Sequence, residues 1–150
     1  MKLTLAELAA ASGTDLGASD WLPVDQARID LFADATGDHQ WIHVDPQRAA
    51  DGPFGATIAH GYLTLSLVPA LIAGMLEITD QGRGTNYGLE KVRFTDVVPS
   101  GSQIRLAASI GAVSDRPDGG TQYALEVKVE RQDSERPVMV GTVVYLAYPR

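Results

Sequence analysis

The chain has 150 residues, 45% of them apolar and 21% charged, which is a one-domain length with enough apolar residues for a hydrophobic core. Its net charge of −7 argues against nucleic acid as the main partner, and any anionic ligand needs a local basic patch against that field. The absence of cysteine excludes disulfides, thiolate metal sites and a cysteine nucleophile. With an N-terminus that lacks the apolar core of a signal peptide, this fits a cytoplasmic protein. The longest apolar run, Leu63 to Met75, is interrupted by Thr64, Ser66, Pro69 and Gly74 and is too short to span a bilayer, so no membrane is expected.

In chain order, residues 4 to 11 read as a short helix, with Thr4 and Glu7 as a capping box and Gly13 as the stop. Residues 17 to 23 are a weak strand. Asp25 opens a helix to about Ala35, with an apolar stripe of Ala27, Leu31, Phe32 and Ala35, and Gly37 ends it. The polar stretch from Asp38 to Asp45 follows as a loop. Asp45 and Pro46 cap and open a short helix through Ala50, and residues 51 to 55 form a turn.

From Gly61 to about Ile78 the chain is apolar on nearly every face, as in a helix buried all round, with a kink expected at Pro69. Four strands follow, at Asn86 to Phe94, Gln103 to Val113, Thr121 to Arg131 and Val138 to Tyr148, separated by turn-forming residues. In the third, Tyr123, Leu125, Val127 and Val129 alternate with more polar neighbours, giving one wetter face. No repeat or linker divides residues 1–150, so one domain is expected. Helices followed by antiparallel strands argue α+β, with a curved sheet wrapped about the buried helix.

The chemistry concentrates in two stretches. In the first, Asp38 and His43 lie five residues apart around a loop that can turn both side chains toward one point. Such a pair suits general acid–base work, since His titrates near neutrality and a carboxylate orients it or shares the proton transfer. A solvated polar loop is the alternative, and Trp41 and Ile42 count against it. His39 and His43 have a zinc-like His-x-x-x-His spacing, but Gln40 stands where a metalloprotease needs glutamate. Gly37 and Pro46 also oppose the continuous helix such a site requires, so no metal is expected.

In the second stretch, His60 and Gly61 open the buried helix. The first N–H groups of a helix lack internal partners, and glycine admits a ligand close to them. That is the geometry of an oxyanion hole, worth on the order of 3 kcal/mol to a developing negative oxygen. The plainer alternative is that Gly61 only starts the helix and His60 caps or packs. Thr64 and Ser66 either reach the site or bond back to their own helix. Gly82-Arg83-Gly84 reads as a flexible connector. Lys91, Arg93 and Arg105 read as a solvated strand face, with phosphate contact as the alternative.

The run Ala35-Thr36-Gly37-Asp38-His39-Gln40-Trp41-Ile42-His43-Val44-Asp45, followed by Ala59-His60-Gly61-Tyr62-Leu63-Thr64-Leu65-Ser66-Leu67, resembles the MaoC-like dehydratases. These include the (R)-specific enoyl-CoA hydratases, and the likeness is greatest to the nodulation protein N branch. It covers about Asp25 to the C-terminus. The resemblance implies a hot-dog fold and a homodimer whose sheets join edge to edge. The family motif Gly-Asp-x-Asn-Pro-(aliphatic)-His places Asp38 and His43 on its catalytic pair and Gly61 on the glycine whose N–H polarises a thioester carbonyl. Gln40 replaces asparagine and Trp41 replaces proline. Gln40 and His60 are expected to bind substrate with Gly61.

The implied reaction is reversible hydration of a trans-2-enoyl-CoA to the (R)-3-hydroxyacyl-CoA, without a cofactor, coenzyme A being part of the substrate. The alternatives on this fold are an acyl-CoA thioesterase and a non-catalytic acyl-thioester-binding subunit.

Overall fold

The computed structural model describes all 150 residues. Strand β1 (Lys2–Leu3) leads into helix α1 (Leu5–Leu8), where Thr4 and Glu7 form the expected capping box. A 3-10 turn at Ala9–Ala11 completes that helical segment. The weak strand resolves into two short ones, β2 (Asp15–Ala18) and β3 (Leu22–Val24). Helix α2 (Gln26–Thr36) starts where Asp25 accepts a hydrogen bond from the Arg28 N–H. It stops at Gly37, whose φ of 78° is the left-handed conformation a helix C-terminus favours in glycine.

The inward face of α2 differs from the expected stripe. Ile29 and Ala33 are buried, whereas Leu31 is 69% exposed. Both sets satisfy helical periodicity, and the contact with the rest of the fold selects between them.

The polar stretch is only partly a loop. Trp41–Val44 forms one turn, α3, and α4 (Pro46–Ala50) follows with Asp45 capping it as expected. The helical segment after His60 is shorter than its apolar run. Helix α5 (Gly61–Ser66) breaks at Leu67 and resumes as α6 (Val68–Ile72). Pro69 explains the break, because it has no N–H to continue the ladder. The segment then turns into β4 (Glu77–Ile78), which pairs parallel with β1. Nor is this segment buried all round. Leu63, Thr64, Val68 and Leu71 face the core, while Tyr62 is 71% exposed.

The long strands are β5 (Gln81–Phe94), β6 (Ser102–Asp115), β7 (Thr121–Arg131) and β8 (Met139–Pro149). They form one antiparallel sheet in the order β2-β6-β7-β8-β5, with β3 also on β6. Gly82-Arg83-Gly84 belongs to β5 rather than to a connector. A Cβ at Gly82 would lie 2.9 Å from Pro149 O and from the Arg150 Cα, so glycine there permits close backbone approach. In β7, Val127 and Val129 turn inward while Glu126 and Lys128 face solvent.

Ile104, Leu106 and Ile110 of β6 and Leu125, Val127 and Val129 of β7 line the concave face, and Leu63, Val68 and Leu71 fill it. This is α+β architecture of the hot-dog kind, a helical segment cradled by a curved sheet. No helix is long and apolar enough to cross a membrane. Strand β5 pairs with β8 on one side only, and its other edge is free.

Candidate active site

Gly37 reverses the chain out of α2 and sends Asp38 back across the end of α5. The Asp38 carboxylate accepts from the Gln40 N–H at 3.3 Å, and its side chain remains 54% exposed. The turn of α3 carries His43 inward, where it is 6% exposed. Two hydrogen bonds tie this turn to the strand-like segment before α5. The Ile58 N–H donates to Ile42 O at 3.0 Å, and the His43 Nδ1–H donates to Ile58 O at 2.7 Å. The His43 carbonyl in turn accepts from Gln26 Nε2 at 2.7 Å, and the buried Thr57 hydroxyl donates to Gln26 Oε1.

Because a carbonyl can only accept, the Ile58 contact fixes the His43 proton on Nδ1 and leaves Nε2 with a free lone pair. Burial holds the imidazole below its ordinary pKa, and the neighbouring His60 ring adds to that effect. The Ile58 carbonyl and Asp38 pull the other way. A neutral imidazole with a bare Nε2 is a proton acceptor.

His60 is 3% exposed and lies against His43, with ring centroids 3.7 Å apart and planes at 23°. Its Nε2–H donates to Asp38 O at 2.9 Å. One ring nitrogen of each histidine and an Asp38 carboxylate oxygen lie within 4.8 Å of one another. The first stretch and the start of α5 thus face each other, as the two motifs imply. A cavity of about 250 Å³ opens beside them, lined by His43, Gly61, Thr64, Phe94 and Asp96 among others.

Gly61 is the first residue of α5, and its N–H enters no backbone hydrogen bond of the fold. The ring of Phe94 covers its Cα, 3.0 Å from where a Cβ would stand.

The cluster fits a metal poorly. Ring-nitrogen lone pairs lie in the ring planes, and two stacked rings direct them side by side. A zinc ion needs both nitrogens at about 2.0–2.1 Å and converging on it. His39 does not join them, because its Nε2 pairs with Asp34 at 2.8 Å on the surface, and that contact raises its pKa.

Residues 7–133 match the protein family described as a MaoC like domain. The chain belongs to the MaoC-like dehydratase family. It is 50% identical over 138 residues to the 3-hydroxyacyl-thioester dehydratase Z of Mycobacterium tuberculosis strain H37Rv, covering 92% of this chain and 91% of that relative. It is 47% identical over 142 residues to nodulation protein N of Rhizobium leguminosarum bv. viciae, covering 93% and 88%. In three dimensions it resembles the unliganded R-hydratase PhaJ1 of Pseudomonas aeruginosa, with a TM-score of 0.77 at 24% identity over 99% of this chain and 87% of that one. At that identity the structural likeness carries the hot-dog fold and nothing finer.

Within this MaoC-like chain the departures from the family motif lie outside the cavity. Gln40 is exposed at the start of α3 and makes no capping bond with its side chain. Trp41 packs under Arg48, whose guanidinium lies 4.4 Å from the ring centroid, and it does not line the cavity. Thr64 lines the cavity, whereas Ser66 bonds back to Tyr62 O at 2.7 Å. Arg105 pairs with Glu130 at 2.7 Å. Sequence reasoning missed Gln26, Thr57, Phe94 and Asp96. Thr57 adjoins the second motif and so was within reach, but no local pattern marks the other three.

Proposed function

We propose that this MaoC-like dehydratase reversibly adds water to a trans-2-enoyl thioester carried on coenzyme A, giving the (R)-3-hydroxyacyl thioester. The observation that supports this best is that a ring nitrogen of His43 and an Asp38 carboxylate oxygen lie within 4.8 Å of each other, with the His43 Nδ1–H held by Ile58 O and His43 lining a cavity that Gly61 also lines. The two groups hold one water. As its oxygen bonds to the β-carbon, one of its O–H bonds breaks and that proton passes to the Asp38–His43 pair. A proton returns from the pair to the α-carbon on the same face. The atoms of one water are thereby accounted for, and no cofactor takes part.

In the transition state the thioester oxygen gains enolate character, and the free Gly61 N–H stabilises it. The free Nε2 of His43 favours it as the acceptor of the first proton. The 3-hydroxyacyl-thioester relative points to the same substrate class.

The working unit in this reading is a homodimer. The free edge of β5 would otherwise be an aggregation hazard, and a two-fold pairing covers it. Exposed Tyr62, Tyr87 and Leu89 supply apolar surface on and beside that edge.

The test is crotonyl-CoA hydration with free thiol followed in parallel. Loss of the enoyl absorbance without thiol release is expected. Thiol release in step with that loss would replace the hydratase by a thioesterase.

A further inference from the structure

His60 Nδ1 is the one buried side-chain nitrogen or oxygen in the protein without a hydrogen-bond partner. Native folds rarely tolerate such an atom without a reason. A phenylalanine at this position would keep a face against His43 and have no unpaired nitrogen, but it would leave Asp38 O without its donor. A glutamine would reach Asp38 O with its amide but would lose the flat face. Among side chains of this size, neutral imidazole combines an aromatic face with an in-plane donor at the far ring nitrogen. The unpaired Nδ1 is the consequence of using both.

The surroundings agree. The ring has His43 at 3.7 Å and Phe32 at 4.9 Å. It does not line the cavity that His43 and Gly61 share. It therefore stands behind the reacting groups rather than against a substrate. We propose that His60 is a positioning residue: its Nε2–H holds the Asp38 main chain while its ring face holds the His43 imidazole, so the two reacting groups keep one spacing. This rests on the Asp38–His43 reading above. It assigns His60 a role other than the substrate contact expected from its place in the motif.

Two variants and a spectrum test it. His60→Phe keeps the face and removes the donor. His60→Gln keeps a donor near the Nε2 position. For crotonyl-CoA hydration, His60→Phe is expected to lower kcat tenfold or more with KM within threefold of wild type. His60→Gln, which restores the donor but not the face, is expected to recover part of that loss. Melting temperature should change little in His60→Phe, since the unpaired nitrogen goes but the hydrogen bond to Asp38 O goes with it.

A rise in KM with unchanged kcat would make His60 a substrate contact and overturn the proposal, as would wild-type kcat in both variants. The third measurement is the ¹⁵N spectrum of the histidine rings in the ligand-free wild-type protein at neutral pH. It should show His60 carrying a proton on Nε2 and His43 carrying one on Nδ1. A His60 without a proton on Nε2 overturns the proposal whatever the substrate. If crotonyl-CoA is not hydrated by the wild type, the functional reading fails while the spectrum still decides the arrangement.

Discussion

Gly61→Ala probes the oxyanion donor without removing it, since alanine keeps the N–H. The new methyl would lie 3.0 Å from Phe94 Cγ and Cδ2 and 3.2 Å from Cδ1. Carbon atoms prefer about 3.5–4.0 Å, so the ring must retreat by roughly half an ångström or more. In the single chain Phe94 can do this, because it is 43% exposed and its ring meets Tyr62 edge-on at 5.9 Å. Overpacking costs about 1–3 kcal/mol in a closed core, and a half-exposed ring belongs at the low end. Helix propensity offsets up to about 1 kcal/mol of that.

The net stability change is thus about zero to 1 kcal/mol of loss, or a fall of no more than about 4 °C in a protein of this size. In the proposed reading the thioester oxygen approaches the adjoining Gly61 N–H, close to where the methyl and the ring it displaces would stand. We expect initial-rate hydration of crotonyl-CoA to show kcat/KM down about tenfold or more, roughly 1.4 kcal/mol of transition-state stabilisation. The displaced ring is a second route to the same loss, and Phe94→Leu separates the two. If the methyl blocks the carbonyl, Gly61→Ala still costs about tenfold in the Phe94→Leu background. Unchanged kinetics in Gly61→Ala, or rates restored by Phe94→Leu, would refute the oxyanion role.

Asp38→Asn and His43→Gln should each lower kcat by at least about a hundredfold, and near wild-type hydration by either would remove the acid–base assignment. Burial depresses the His43 pKa, so the acid limb of the kcat/KM profile should fall below the ordinary histidine value of about 6.5. The same depression links pH to stability: the unfolded chain binds the proton first, so stability falls as pH drops from about 6.5 through the folded value, and a limb or a stability loss centred above 6.5 would contradict the environment described. Light scattering at micromolar concentration should give a dimer mass, and Leu89→Arg on the exposed strand should shift it toward monomer; a fully active wild-type monomer would end the dimer reading.

Features of the fold governed by near neighbours in the chain were legible in the sequence. The Thr4–Glu7 box, the Asp25 cap, the Gly37 stop and the Asp45-Pro46 start each rest on contacts within four residues. The four long strands were visible for the same reason, their turn residues bounding runs of β-branched and aromatic side chains. What failed depended on distant partners. Gly82-Arg83-Gly84 looks like a connector until β8 pairs with it. The α2 stripe could not be chosen by periodicity, because Leu31 and Ile29 both continue a helical repeat and only the packed core selects Ile29.

The site divides along the same line. Asp38, His43, His60 and Gly61 sit in two short motifs, so their identities were readable, but the relation between the motifs is a tertiary fact. Carbonyls create it: Ile42 O accepts from the Ile58 N–H, Ile58 O from the His43 ring and Asp38 O from the His60 ring, while His43 O accepts from Gln26. Every peptide unit has a carbonyl, so no residue type marks those that matter, and Gln26 is chemically indistinguishable in the sequence from a solvated helix residue. The histidines also illustrate why residue type alone misleads. His39, His43 and His60 are identical in composition. His39 is tied to Asp34 on the surface, His43 is held neutral with a free Nε2 toward the cavity, and His60 is buried behind it. The hydrogen bond each ring makes decides where it sits and which nitrogen it leaves free.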